Sequence, residues 1–282
     1  MTGLVALALV ASVFLGVSDF LGGTLSRKLP LVTILALSQL VGALAILPRM
    51  LIEPFSFDAG PALLWGTIGG VATAVAVSAL FRALAIGTMG VVAPITSLSV
   101  IAPVVVGLVK GDSLTIVIAV GLAVAVIGTV LASGPEIRAR TESPGAAQSI
   151  VLAIVAAAGF GVANVSVALG SVSSVTTTLV TNTVVVLALY GAAALILRQP
   201  LRASGRPLVG IIAIGLLGLG ANLCFALASL DGALSVVAVL ASLYPVVTVL
   251  LSWRIHRERL RVIQIAGIAA VFVGVAAVAA SL

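Results

Sequence analysis

The chain has 282 residues, of which 62% are apolar and 8% charged, and it carries a formal net charge of +6. A soluble domain carries about 25% charged residues, so this chain cannot cover a globular surface with polar groups, and water is not its main solvent. The positive charge does not indicate a nucleic-acid partner, because the basic residues stand singly or in small groups between apolar runs, as in the cytoplasmic loops of membrane proteins.

A spanning helix needs about 20 mostly apolar residues. Ten such segments fit: Gly3–Gly23, Pro30–Leu47, Pro61–Leu84, Gly90–Val109, Leu114–Ala132, Ile150–Leu169, Val175–Leu197, Pro207–Ala228, Ala233–Trp253 and Val262–Leu282. Met1-Thr2-Gly3 lacks a basic region, which argues against a cleaved signal peptide, so Leu4 to Leu21 reads as the first span. The runs are about twice the length of a transmembrane strand and apolar throughout, which favours helices over a barrel. The predicted fold class is therefore an all-α membrane protein with ten transmembrane helices.

Between Gln148 and Leu197 no residue is charged, and the break there is the small polar turn Gly170–Ser174. Glycines such as Gly66, Gly69, Gly70, Gly215, Gly218 and Gly220 allow helix backbones to approach closely in a bilayer. Pro94 and Pro103 predict a kink in the fourth segment. Trp65 and Trp253, near segment ends, suit interfacial anchoring.

Twelve basic residues fall on one side of this arrangement: Arg27, Lys28, Arg82, Arg138, Arg140, Arg198, Arg202, Arg206, Arg254, Arg257, Arg259 and Arg261. Arg49 and Lys110 fall on the other. The positive-inside rule puts the twelve in the cytoplasm, and both termini then face away from it.

The segments repeat. Leu15 to Asp19 aligns with Phe160 to Asn164 at an offset of 145 residues, and Pro103 with Pro245 at 142. Asp112, Leu114, Gly121 and Gly128 align with Glu258, Leu260, Gly267 and Gly274 at 146. The change from 142 to 146 is about one helical turn, so the first half lacks a turn between its proline and its hinge. Two domains follow, 1–134 and 149–282, joined by a linker at 135–148. Five spans is an odd number, so the second half enters the membrane in the opposite sense, as an inverted repeat of five helices. Such repeats place a substrate site at their interface near the midplane.

An intramembrane charge is costly and marks a functional site by default. Asp19 and Arg82 are the candidates, either as a pair or as anchors for a substrate, with Asp19 also a candidate proton carrier. Interfacial positions are the competing reading: Asp19 lies eight residues before Arg27, and Arg82 sits near a helix end, from which a long side chain snorkels. Asp231 reads as a turn residue. Gln39 and Asn182 occupy matching places at an offset of 143, and Asn164 matches Asp19. With Asn222, Thr96, Ser97, Ser99 and Tyr244 they make a set able to hold a zwitterion or a neutral metabolite; the competing role is helix-to-helix hydrogen bonding. The hinges Lys110–Asp112 and Arg257–Arg259 read as solvated turns with structural roles.

One cysteine, Cys224, and one histidine, His256, allow no intrachain disulfide, no CxxC site and no histidine cluster, so no metal or other cofactor is expected. An enzyme would need a positioned nucleophile, base or metal, and no such constellation is visible.

Several of these stretches carry a family resemblance: Leu15-Gly16-Val17-Ser18-Asp19-Phe20, Gly90-Val91-Val92-Ala93-Pro94, Ser242-Leu243-Tyr244-Pro245, and Glu258-Arg259-Leu260 followed by Gln264 and Gly267. In order and spacing, twice over, the chain resembles the EamA-type ten-helix transporters of the drug/metabolite transporter superfamily. It departs from the pattern where Phe14 replaces a frequent Trp and Asp112 the usual Glu. The resemblance implies secondary transport, commonly outward, of small metabolites such as amino acids or related compounds. The expected surroundings are membrane lipid, with a monomer or homodimer in a prokaryotic inner membrane; a proton is a candidate coupling ion because of the lone position of Asp19. A lipid flippase or a non-transporting scaffold has the same composition.

Overall fold

A computed structural model describes residues 2–87, 92, 95–112, 115–132, 146–199, 201–256 and 262–281. Among them all regular structure is helical. The helices are α1 (Thr2–Leu25), α2 (Leu31–Ala45), α3 (Gly60–Ile86), α4 (Ile101–Val109), α5 (Ile116–Ala132), α6 (Ala146–Ser171), α7 (Val175–Ile196), α8 (Arg206–Asp231), α9 (Leu234–Ala241), α10 (Tyr244–His256) and α11 (Val262–Ser281). Short 3₁₀ turns at Leu47–Leu51 and Leu98–Val100 extend α2 and lead into α4. Seven helical runs are long and apolar enough to cross a bilayer, α9 and α10 counting together as one. Three of the ten predicted segments are shorter apolar helices: Ile95–Val109, Ile116–Ala132 and Val262–Val278.

The ninth segment corrects a sequence expectation. It was expected to be one helix, and it breaks at Ser242–Leu243. The reason is Pro245, which has no N–H to bond back to the Ala241 carbonyl and whose ring crowds that carbonyl. The fourth segment tightens into its 3₁₀ turn just before Pro103. Beyond each break, α4 runs for nine residues and α10 for thirteen, a difference of one turn, as the offsets anticipate. The Gly90–Pro94 motif apart from Val92, Arg138, Arg140, the linker up to Gly145 and the Arg257–Arg261 hinge lie outside the described residues.

Small residues set the packing. α3 turns Gly66 and Gly70 onto Thr178, Thr181 and Val185 of α7, and Gly69 onto Ser166 and Asn182. Its opposite side exposes Leu64, Val71 and Val75, the surface expected against lipid. α5 and α11 cross through four glycines. A Cβ on Gly121 would lie 3.0 Å from the Gly274 carbonyl, and one on Gly128 would lie 2.7 Å from the Gly267 carbonyl. The numbers rise along one helix and fall along the other, so the two run antiparallel.

The principal packings are reciprocal. α3 lies on α6 as α1 lies on α8, and α3 on α7 as α2 on α8. Gly16 of α1 abuts the Tyr244 carbonyl and Val247, as Gly161 of α6 abuts Ala102 and the Ser99 carbonyl.

One end of the bundle carries Glu53, Asp58 and Asp112 beside Arg49 and Lys110; the other carries Arg27, Lys28, Arg82, Arg198, Arg202, Arg206 and Arg254. The acidic end is tied by two carboxylates to distant helix starts. Glu53 accepts hydrogen bonds from the hydroxyls of Ser174 and Thr176 and pairs with Arg49 at 2.9 Å. Ser174 itself accepts from the Thr177 amide and caps α7. Burial alone would raise the Glu53 carboxyl; the bonds from Ser174 and Thr176 and the Arg49 charge outweigh it and hold the group below its ordinary value. Asp112 accepts from the Ser235 amide at 2.9 Å and its hydroxyl at 2.8 Å, at the start of α9. Gly111, at φ +98°, takes the backbone conformation that glycine adopts most easily and swings Asp112 toward that start. An acidic group there meets the positive end of the helix dipole.

Candidate functional site

A cavity of about 110 Å³ lies around the midpoints of α1, α2, α3, α6, α7 and α8. Water needs roughly 10–15 Å³ of such space, so there is room for a small solute. Seven of the predicted residues line it together: Asp19, Gln39, Ser99, Asn164, Asn182, Asn222 and Tyr244. The aligned pairs Asp19/Asn164 and Gln39/Asn182 therefore meet in one place, with both halves contributing.

Each side chain is set by its helix. Leu15 and Ser18–Asp19 on α1, Leu35, Ser38–Gln39 and Gly42 on α2, and Thr73, Val77 and Phe81 on α3 follow the three- and four-residue spacing of one helix face. Asp19 is 7% exposed and Asn182 4%. The Asn182 Nδ2 has no hydrogen-bond partner in the structure. Tyr244 enters because the α9–α10 break turns α10 onto α1; its hydroxyl is approached by Thr96 and faces Asp19. Thr248, one turn on, donates to the Gly16 carbonyl at 3.1 Å and fixes the crossing.

Three predicted residues, Thr96, Ser97 and Arg82, do not line the cavity. Thr96 is buried behind Tyr244, and Arg82 is exposed near the basic end of α3. Among the described residues the ion pair is Arg49–Glu53, and Asp19 and Arg82 form none with each other. Ser99 lines the wall and Ser97 is buried beside it. The Asp231 side chain lies outside the described set.

Ser18, Ser38, Thr73 and Thr183 also line the wall and escaped the sequence reading. The available signal was their position beside, or one turn from, a residue already singled out. Among the described residues no group of three His, Cys, Asp or Glu side chains is placed to hold a metal.

In the chemistry available, the wall offers one carboxylate, four carboxamides and several hydroxyls among Phe81, Phe160, Leu179 and Leu219. Residues 147–280 match the EamA-like transporter family. A solved crystal structure of a protein is similar in fold over 98% of each chain, with a TM-score of 0.73 and 18% identity. No curated protein matches the sequence.

Proposed function

Since the chain carries an EamA-like transporter domain, we propose that it is a secondary transporter that moves small metabolites, amino acids or related compounds, outward across a prokaryotic inner membrane by alternating access. The observation that carries this reading is the central cavity, built at mid-helix depth from matched positions of both halves.

The glycine crossing of α5 and α11 supports an inverted repeat. The alignment pairs Gly121 with Gly267 and Gly128 with Gly274, whereas the contacts join Gly121 to Gly274 and Gly128 to Gly267. A two-fold axis between the helices produces that reciprocal pattern. Because it exchanges two antiparallel helices, the axis lies across them, and so in the membrane plane. Ten passes, including the three shorter helices, are supported by contacts among the described residues: Glu53 with Ser174 and Asp112 with Ser235 at one end, Leu25 with Gly210 at the other. With the basic end in the cytoplasm, both termini lie on the far side.

Two pseudo-equivalent halves offer two conformations of similar energy, open to opposite sides around a fixed site. Asp19 is the candidate proton carrier for coupling. The reading is tested by profiling solutes exported by a strain lacking the protein and by one overproducing it. A solute whose external level rises with expression and falls with deletion supports export; no change in any solute overturns it.

A further inference from the structure

We infer that the transported class is a small organic monocation, an amine with an apolar body, bound through its ammonium to Asp19 and not as a zwitterion. This rests on the transport reading above and narrows its substrate.

Among the described residues Asp19 is the charged one on the cavity wall, and no Arg, Lys or His lines it. A carboxylate taken out of water without a partner is costly and must be neutralised by a proton or a cation. Arg82, the basic side chain within α3, is exposed and makes no ion pair with it. The place of the counter-ion is therefore left to something that enters the cavity. The matched position in the other half is Asn164, so the site is acidic on one side and neutral on the other.

The surroundings suit an ammonium. Gly22, one turn beyond Asp19, leaves the room that the Phe81 ring fills, and Phe81 lines the same wall. Phe160 stands at the position aligned with Leu15, and Tyr244 faces Asp19 from α10. Aromatic faces attract cations, more so in a desolvated site.

A substrate carboxylate finds no equivalent partner. The α9–α10 break is the nearest helix start, but the Ser242, Leu243 and Val246 amides are already bonded to the Ala238, Leu240 and Leu243 carbonyls. Pro245 has no amide hydrogen. A zwitterion would thus set its carboxylate among carboxamides and aromatic rings, near the Asp19 carboxylate, with no cation to balance it.

The test uses the purified full chain and solutes with matched bodies: isoamylamine, leucine and isoamyl alcohol, then phenethylamine, phenylalanine and phenylethanol. Binding is measured by calorimetry with thermal shift alongside. At least one amine is expected to bind about tenfold or more tighter than its amino acid and its alcohol. Asp19→Asn is expected to weaken that amine by roughly thirtyfold or more, the consequence of removing one member of a buried charge pair. The double change Asp19→Asn with Asn164→Asp, which moves the charge across the pseudo-axis, is expected to recover part of the loss, which a merely misfolded single variant would not allow. Amino acids binding as tightly as the amines, no amine binding, or amine affinity unchanged in a folded Asp19→Asn protein overturns the inference. Export of a zwitterion without amine binding defeats this inference and leaves the transport reading intact, whereas amine binding with no exported solute defeats the transport reading alone.

Discussion

Three carboxylates of the first half sit in contrasting surroundings. Glu53 and Asp112, at the acidic end, are each held by hydrogen bonds to a helix start more than a hundred residues away. Asp19, buried on the cavity wall, has no ion-pair partner among the described residues. At the rim, donors and helix dipoles already answer the negative charge, so the carboxylates hold the two halves together. In the centre, among the described residues, no cation answers the charge, and in the proposed reading a solute takes that place. On that reading, depth in the bundle separates a fastening from a binding group.

The largest break in this contrast is Asp19→Asn. Transport by reconstituted protein is expected to fall by about a hundredfold or more, while the midpoint of thermal unfolding stays level or rises, because a costly buried charge is removed. A parallel loss of stability would place Asp19 with the fastenings. Asp112→Ala is expected to do the reverse. It removes two hydrogen bonds and the charge at the start of α9, and should lower stability by about 1–2 kcal/mol in denaturant titration. Solute affinity should remain within about twofold.

A smaller effect is expected at Glu53. Its side chain is 31% exposed, so Glu53→Gln should cost about 0.5–1 kcal/mol. The pH dependence sharpens the distinction further. Glu53 is held below its ordinary value of 4.5 in the folded protein. Its stabilising contribution is then fully present above that value and is lost as pH falls through the lowered one. The stability gap between the wild type and Glu53→Gln should accordingly narrow on acidification below about pH 4.5. A gap that widens in acid would contradict the assignment.

Much of the fold was legible because lipid demands long apolar runs. The predicted Pro61–Leu84 and Val175–Leu197 lie close to α3 at Gly60–Ile86 and α7 at Val175–Ile196. The missing turn before Asp112 reappears as the shorter α4. The break at Ser242–Leu243 was not anticipated, although Pro245 stands midway along the predicted Ala233–Trp253, since the apolar run continues through it and a proline can kink a helix without ending it.

The site was partly legible for a related reason. Helices apolar all round give no amphipathic stripe to mark the inward face, so scarce polar residues do that work. Gln39, Asn164, Asn182 and Asn222 were visible as isolated amides, while Ser18, Ser38 and Thr73 resemble the hydroxyls that bond back to their own helix. The rim was hidden more completely. Asp112 looked like a solvated hinge, because its partner Ser235 is 123 residues away and the two meet only once α4 and α9 are packed.

Thiol accessibility tests the central claim most directly. In a Cys224→Ala background, Ser38→Cys would be labelled by a membrane-impermeant reagent in right-side-out and inverted vesicles, with Asp58→Cys and Arg202→Cys as markers of the two ends. The account predicts labelling of position 38 from either side and of each marker from opposite single sides. Labelling of position 38 from one side only, or of both markers from the same side, would contradict a shared cavity that opens alternately to each compartment.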